Sequence, residues 1–384
     1  MMSATGVLLT YERQILAWSD RDGYADPTGD AARLPLRTLL AAVSAAEPDF
    51  VPTTITVRND ARAPVAVTAG RNNTLLVNAY SAAVAPQGGE RLRAFFDAVT
   101  GWHRWFNVAG EHRAFARAIT GACNLAFLFL VLSGMYLWLP RTLKWVAFRT
   151  RLLFNAHATS GKARDFNWHH VFGIWSALPL AVIVGSSVVF SYTWANDLVY
   201  RSVGEQPPVR GQARGGPEGA RRAADSRGDR VAGTNGERQS GAGPSGDAVH
   251  EPTLPFETLF ERAAAQVDDW QTMTLTLPQA APAGVRIAID AGNGGQPQRR
   301  HSVTLDPRSG EVTAWAPFSS QSTGQRARVL IRFLHTGEAL GITGQTIAGL
   351  VSFTSLLMVW TGLALAYRRL VRPWLVRRTE ASES

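Results

Sequence analysis

The sequence predicts an α-helical membrane protein with three complete transmembrane helices, the remnant of a first one, and two small α+β modules outside the cytoplasm. Three observations predict this class: long uncharged apolar stretches, basic residues gathered at one end of those stretches, and a motif that occurs twice. The chain has 384 residues, 46% of them hydrophobic, which would suffice for several soluble domains, but the apolar residues are clustered.

The segment 1–14 begins with a short apolar stretch that is soon followed by charge. Met1 to Tyr11 is shorter than the ~20 residues that a helix needs to cross a ~30 Å hydrocarbon core. No pattern of a cleavable signal peptide is visible. We therefore expect the outer end of a membrane helix whose beginning is absent.

Segments 15–100 and 253–318 share a motif, LPLRTL at 34–39 and LPFETL at 254–259. In both copies a proline near the first turn precedes an apolar-periodic helix, about Leu36 to Ala46 and about Phe256 to Val267. Short alternating stretches follow each helix and predict strands. Each copy is therefore interpreted as a helix-plus-meander module, the alternative being a coincidental likeness of two α+β stretches.

Three uncharged apolar stretches predict the complete spans, at 118–140, 169–195 and 340–367. Buried core helices are the alternative, but such helices are usually shorter and amphipathic. Basic residues dominate the loop 141–168 and the tail 368–384, so the positive-inside rule places both in the cytoplasm. The interfacial segment 101–117 and the two modules then lie outside it, and the net charge of +9 sets orientation and is not a sign of nucleic-acid binding.

The segment 204–252 is rich in Gly, Arg, Pro and Ser and has few large apolar residues. Such a composition cannot bury enough surface to offset its ordering entropy, which predicts a disordered linker. A basic recognition arm is the alternative, but interspersed Glu and Asp residues oppose it. The single cysteine, Cys123, lies inside the first complete span, so an intrachain disulfide and a cysteine metal cluster are both excluded.

Histidines at the span ends carry most of the functional information. On the predicted topology, His103, His112 and His335 lie at the outer interface, and His169, His170 and His157 at the inner one. Imidazole is a preferred axial ligand of haem iron, and helical bundles present such ligands between helices. Snorkelling or helix-capping histidines and a zinc or copper site are the alternatives. Motifs typical of hydrolases are not evident.

An ordered series of motifs resembles the family of PepSY-associated transmembrane proteins. The motifs are WHRW at 102–105, SGMYLWLP at 133–140, NWHHVFGIW at 167–175, LHTG at 334–337 and TGL at 361–363. The resemblance covers nearly the whole chain except the linker. It implies a bacterial inner-membrane protein with four helices and two PepSY-like periplasmic modules.

The resemblance also implies a function in iron metabolism, because some members are haem-containing reductases of ferric siderophores. Carried over by motif, His103 and His335 would hold an outer haem b. His169 would bind a second, inner haem, with His170 as its neighbour or substitute. The expected partners are membrane lipid, haem, a ferric siderophore and an unidentified electron donor.

The sequence departs from the family pattern at its beginning. Members begin with a helix that carries its own inner histidine, so His169 lacks its expected partner here. We expect a misassigned start site; the alternatives are an inner haem that is lost, five-coordinate, or bound by His157 or His170. A non-enzymatic scaffold whose modules bind a peptide or protein outside the cytoplasm is the alternative function.

Overall fold

The computed structural model describes residues 1–25, 32–70, 73–139, 145–208, 253–277 and 284–374. Most of the predicted linker, residues 209–252, lies outside the described residues, as does the end of the predicted tail, residues 375–384. The fold is mostly helical, with a separate antiparallel sheet at one end of a helical bundle.

The helices are α1 (Met2–Leu9), α2 (Glu12–Ser19), α3 (Leu36–Ala46), α4 (Glu90–Trp105), α5 (Arg113–Trp138), α6 (Trp145–Leu152), α7 (Gly161–Ser191), α8 (Thr193–Arg201), α9 (Phe256–Ala264), α10 (Thr323–His335) and α11 (Gly341–Ala366). The strands are β1 (Thr54–Arg58), β2 (Val65–Ala69), β3 (Asn73–Val77), β4 (Val84–Pro86), β5 (Thr272–Thr276), β6 (Val285–Asp290), β7 (Arg300–Leu305) and β8 (Val312–Pro317).

Three helical stretches are long and apolar enough to cross a membrane, namely Gly110–Trp138, Gly161–Ser191 and Glu338–Trp374. They contain α5, α7 and α11; α7 packs against both of the others, and residues of all three helices form a small apolar core. We call the end of this bundle where α5 and α11 begin the sheet end, and the end where α7 begins the far end. The prediction of three apolar spans is thus confirmed at the level of length and composition.

The observed α7 starts well before the apolar stretch that predicted it. Its first residues, which include Lys162 and Asp165, belong to the segment 141–168 that we had assigned to a loop. The Ser160 side chain accepts a hydrogen bond from the Ala163 N–H and so caps the helix there. Hydropathy finds the apolar part of a helix, whereas the cap decides where the helix begins.

The short helix α1 packs against α11 and α4. The Ser355 hydroxyl donates to Ser3 at 2.7 Å, and Gly6 faces Ser352, so small residues let the two backbones approach. Whether α1 is part of a further span stays a prediction.

The two predicted modules do not form separate sheets. They contribute four strands each to one eight-stranded antiparallel sheet, in the order β4-β3-β2-β1-β5-β6-β7-β8. The joint is the pairing of β1 with β5, in which Thr56 lies opposite Thr274 and their hydroxyls are 3.0 Å apart. Each module alone would leave β1 or β5 as an unpaired edge, and their pairing satisfies both.

Helices α3 and α9, which begin within the two copies of the repeated motif, pack with the inward-facing strand residues in one continuous apolar core. The copies also touch: the Glu257 carboxylate accepts a hydrogen bond at 2.6 Å from the Leu36 N–H, at the first turn of α3. A carboxylate at a helix N-terminus satisfies an otherwise unpaired donor and complements the helix dipole. The repeated motif therefore lies at the contact between the two halves of the sheet.

Candidate functional site

Two of the sequence-predicted residues, His103 and His335, lie next to each other at the sheet end of the bundle. His103 belongs to the last turn of α4, which follows β4, and His335 is the last residue of α10, which follows β8. Their ring centroids are 6.4 Å apart, with an angle of 62° between the ring planes. Helices α4 and α10, which occupy equivalent positions in the two halves of the chain, thus each place one imidazole at the sheet end of the bundle.

Backbone turns end both helices directly after the histidines. Beyond His103, Phe106 and Asn107 adopt left-handed conformations with φ of 55°. Beyond His335, Gly337 has φ of +75°, and a Cβ there would meet the backbone of Gly344. The two glycines allow the chain to fold back tightly from α10 into α11, and this turn fixes where α10 ends.

Each histidine of the pair is held through Nδ1. His103 Nδ1 lies 2.8 Å from the Thr5 hydroxyl of α1. His335 Nδ1 lies 2.9 Å from the Ser186 hydroxyl and 2.8 Å from the Ile183 carbonyl, both in α7. Because Nδ1 is engaged with protein in both rings, Nε2 is the nitrogen that can bind another group.

The surroundings keep both rings uncharged at neutral pH. Burial, and to a smaller extent the neighbouring His335, lower the pKa of His103 to about 4. Burial also lowers the pKa of His335. Two neutral imidazoles are what a metal centre requires, since protonated rings cannot act as ligands.

Phe190 packs against the His335 ring, and Arg328 packs on Phe190. The Phe190 ring meets the His335 ring edge to face, with centroids 5.6 Å apart. The Arg328 guanidinium lies over Phe190 and donates a 2.7 Å hydrogen bond to Asn196. These contacts connect α10 to α7 and α8, and they fix the position of the helix that carries His335.

The other two predicted site residues, His169 and His170, lie in the far-end part of α7. His169 Nδ1 is 2.9 Å from the Thr361 hydroxyl of α11, and Gly362 lies beside the ring. His170 Nδ1 donates to the Phe166 carbonyl one turn earlier, at 2.9 Å, and its ring packs on Phe166. His169 therefore faces α11 inside the bundle, whereas His170 is bonded within its own helix.

A family model described as the PepSY-associated TM region matches residues 1–369. The chain belongs to this family. The resemblance drawn from the ordered motifs is confirmed. Comparison with curated proteins gives no match.

Within this member of the PepSY-associated TM region family, the remaining span-end histidines are not part of the pair. His112 is exposed at the start of α5, and His157 is exposed before α7, with its N–H bonded to Asn155. In the described part of the chain, no group of three His, Cys, Asp or Glu side chains could hold a metal ion. The candidate site is the pair of His103 and His335, two imidazoles whose Nε2 atoms can bind a further group.

Sequence reasoning gave no role to three hydroxyl side chains that contact the predicted histidines: Thr5 and Ser186 at the pair, and Thr361 at His169. Hydroxyl residues are common in apolar helices, where they usually bond to their own backbone, so their presence gave no signal. These hydroxyls reach the histidines because the helices pack in the folded chain: α1 against α4, α7 against α10, and α7 against α11.

Proposed function

We propose that this protein is a multi-pass protein of the bacterial inner membrane that holds haem b and passes electrons outward to a ferric substrate, such as a ferric siderophore. The observation that carries the proposal is the pairing of two neutral histidines with both Nδ1 atoms bound to protein. Family membership supports the same function.

The spacing of His103 and His335 is compatible with one iron held by both rings, because their centroids are 6.4 Å apart. Two imidazole nitrogens that bind the same metal through bonds of about 2 Å need rings about this close. Haem held by the two residues would supply a one-electron carrier.

His169 is the candidate ligand for a second haem nearer the far end. Ser352, which lies level with Gly6 and the His103 ring, and Thr361, which bonds His169, are roughly 14 Å apart along α11 at ~1.5 Å per residue. Electrons could therefore pass across the bilayer through one haem at the histidine pair and a second at His169. Its electron donor is unidentified.

The proposed topology has the far end in the cytoplasm and the sheet in the periplasm. Basic side chains gather at the described far end, where the acid Asp165 is already bound to Arg164 and Arg368. The basic residues are Arg149, Arg151, Lys162, Arg164, Arg368, Arg369 and Arg372. The sheet would then be the two PepSY-like modules in one unit, and α1 the outer part of a fourth helix.

Absorption spectroscopy tests the proposal on the full chain, produced with iron and haem precursor and purified in detergent. We expect a Soret band with low-spin features that His103→Ala and His335→Ala both abolish or convert to high spin. His112→Ala, which removes an exposed histidine close by, should leave the spectrum unchanged. A full-length preparation without haem absorbance would refute the proposal.

Electron transfer is tested separately by adding a ferric hydroxamate chelate to the dithionite-reduced protein after excess reductant is removed. We expect reoxidation of the haem with formation of ferrous iron, measured by a ferrous indicator. A reduced haem that the chelate leaves unchanged would restrict the function to haem binding.

The sheet supports a second candidate function, a scaffold that binds a peptide or protein partner. The edge strand β8 has six residues and is largely exposed, whereas the opposite edge, β4, has three and ends in Pro86. An open edge permits addition of a strand from a partner. Val312→Lys at this edge should abolish partner capture and leave the haem spectrum intact if the scaffold function is correct.

A further inference from the structure

The two paired histidines are held by the same local arrangement. In each case Nδ1 meets a Ser or Thr hydroxyl, and the backbone carbonyl three residues before that hydroxyl also acts on the ring, at His335 as a 2.8 Å contact with Nδ1. The two sets are His103 with Thr5 and Met2, and His335 with Ser186 and Ile183. We call this arrangement the hydroxyl–carbonyl clamp.

The clamp fixes which atoms carry protons. The Thr5 hydroxyl donates to the Met2 carbonyl at 3.0 Å, and the Ser186 hydroxyl donates to the Ile183 carbonyl at 2.7 Å. A hydroxyl has one proton, so once that proton is bonded to a carbonyl its oxygen can only accept. A carbonyl can also only accept. At His335 the Ile183 carbonyl lies 2.8 Å from Nδ1, so the proton between them belongs to Nδ1 and the lone pair of the neutral ring lies on Nε2. At His103 the Thr5 hydroxyl, with its proton bonded to the Met2 carbonyl, accepts from Nδ1 in the same way.

A third clamp holds His169 at the far end. Its Nδ1 meets the Thr361 hydroxyl at 2.9 Å, and the Met358 carbonyl also acts on the ring. Thr361 donates to the carbonyls of Leu357, at 2.9 Å, and Met358, at 3.2 Å, so its oxygen also accepts from the ring. The same combination of histidine, hydroxyl and carbonyl thus recurs with its hydroxyl in α11, whereas the first two clamps have theirs in α1 and α7.

The first two clamps occupy equivalent places in the two halves of the chain. The separation in sequence between Met2 and Ile183 equals the separation between Thr5 and Ser186. The first residues of α2 and α8, the helices that follow these two clamps, are separated by the same number of residues. Each clamp helix precedes one half of the sheet, and each histidine ends the helix that follows that half. The hydroxyl at this position is therefore a shared feature of both halves.

We propose that the clamp hydroxyls, those of Thr5, Ser186 and Thr361, are positioning residues that hold their histidines in the Nδ1-protonated tautomer and direct Nε2 to a haem iron. A hydrogen bond accepted from the distal N–H of a ligating imidazole fixes its orientation and raises its basicity. The ligand in this inference rests on the proposed function, but the tautomer is a property of the protein alone.

Nitrogen NMR of the haem-free full chain tests the tautomer directly. With ¹⁵N-labelled histidine in lipid, assigned by single His→Gln variants, the three clamped rings should each give a protonated Nδ1 and an unprotonated Nε2 at pH 7.5. A protonated Nε2 at either His103 or His335 would overturn the inference, whether or not the protein binds haem. Absence of haem binding with the expected nitrogen signals would refute the proposed function and leave the tautomer assignment standing.

Substitution tests the positioning role, with haem b added to the haem-free protein as the probe. Thr5→Val keeps the side-chain shape and removes the acceptor, so we expect haem affinity to fall about 10–100-fold, the usual effect of losing such a partner. Thr5→Ser should restore it, together with the wild-type spectrum and midpoint potential.

The matched control is Thr354→Val, which removes a hydroxyl that, among the described residues, donates to the Val351 carbonyl of its own helix α11. It should leave haem affinity and potential unchanged. Equal affinity and potential for Thr5→Val, Thr354→Val and the wild type would overturn the positioning role, as would failure of Thr5→Ser to restore a loss seen in Thr5→Val.

Discussion

Replacement of Gly337 by alanine should damage both the fold and the histidine pair. Gly337 has φ of +75°, which costs an alanine about 1–2 kcal/mol. The new Cβ would also lie 2.8 Å from the Gln345 backbone nitrogen and against the Gly344 carbonyl, so α11 itself would have to move. Crowding of this kind costs typically 1–3 kcal/mol, which gives a total of about 3 kcal/mol.

The assay combines thermal unfolding in detergent with the haem content per protein. At an unfolding entropy of ~2.1 cal/mol/K per residue, 3 kcal/mol corresponds to a Tm lower by about 4 °C in a chain of 384 residues. Because Gly337 is two residues from His335, the Soret band should weaken as well. Gly134→Ala is the matched control, since Gly134 lies near the end of α5 and its new Cβ would meet no other described part of the chain within 4 Å. Equal Tm values for the two variants would refute the reasoning.

Three other predictions follow from contacts that hold the fold together. Glu257→Ala should destabilise the sheet by about 1 kcal/mol in chemical unfolding, as expected for loss of a helix cap, with Glu257→Gln less affected because it keeps an acceptor. Arg368→Gln should lower the Tm more than Arg164→Gln, because both bind the buried Asp165 but the Arg164 side chain is 54% exposed and that of Arg368 only 33%. The folded pKa of His103, about 4, is lower than the unfolded value of 6.5, so the folded state binds fewer protons between these values. Stability of the haem-free protein should therefore fall by up to about 3 kcal/mol as the pH drops from 6.5 to 4, and His103→Gln should lose this part of the pH dependence.

Local patterns in the sequence were sufficient for the elements that depend on local composition. The apolar runs located α5, α7 and α11, and the predicted helix Leu36 to Ala46 forms with those bounds. The predicted helix at Phe256 ends at Ala264, earlier than Val267, where the chain turns toward β5. The amphipathic helices α4 and α10 were missed, because their apolar faces pack against helices that are distant in sequence.

Contacts between segments that are distant in the sequence could not be predicted from local sequence patterns. The pairing of β1 with β5 depends on two strands from distant segments, each of which equally fits the edge of a separate sheet. The proximity of His103 and His335 was an expectation from motif likeness, and the coordinates place the two rings side by side. Their hydroxyl partners lie in other helices, so no spacing in the sequence connects them.

The β1–β5 joint has a consequence for how the chain is made. A ribosome adds ~5–20 residues per second, and β5 is synthesised more than 200 residues after β1, so β1 waits about 10–40 s for its neighbour. During that interval the first half presents an unpaired strand to its surroundings, while two apolar helices are still to be inserted. Newly made protein is then exposed to mispairing between chains for a period that depends on the rate of synthesis, and conditions that slow translation after α5 should increase aggregation of the newborn chain.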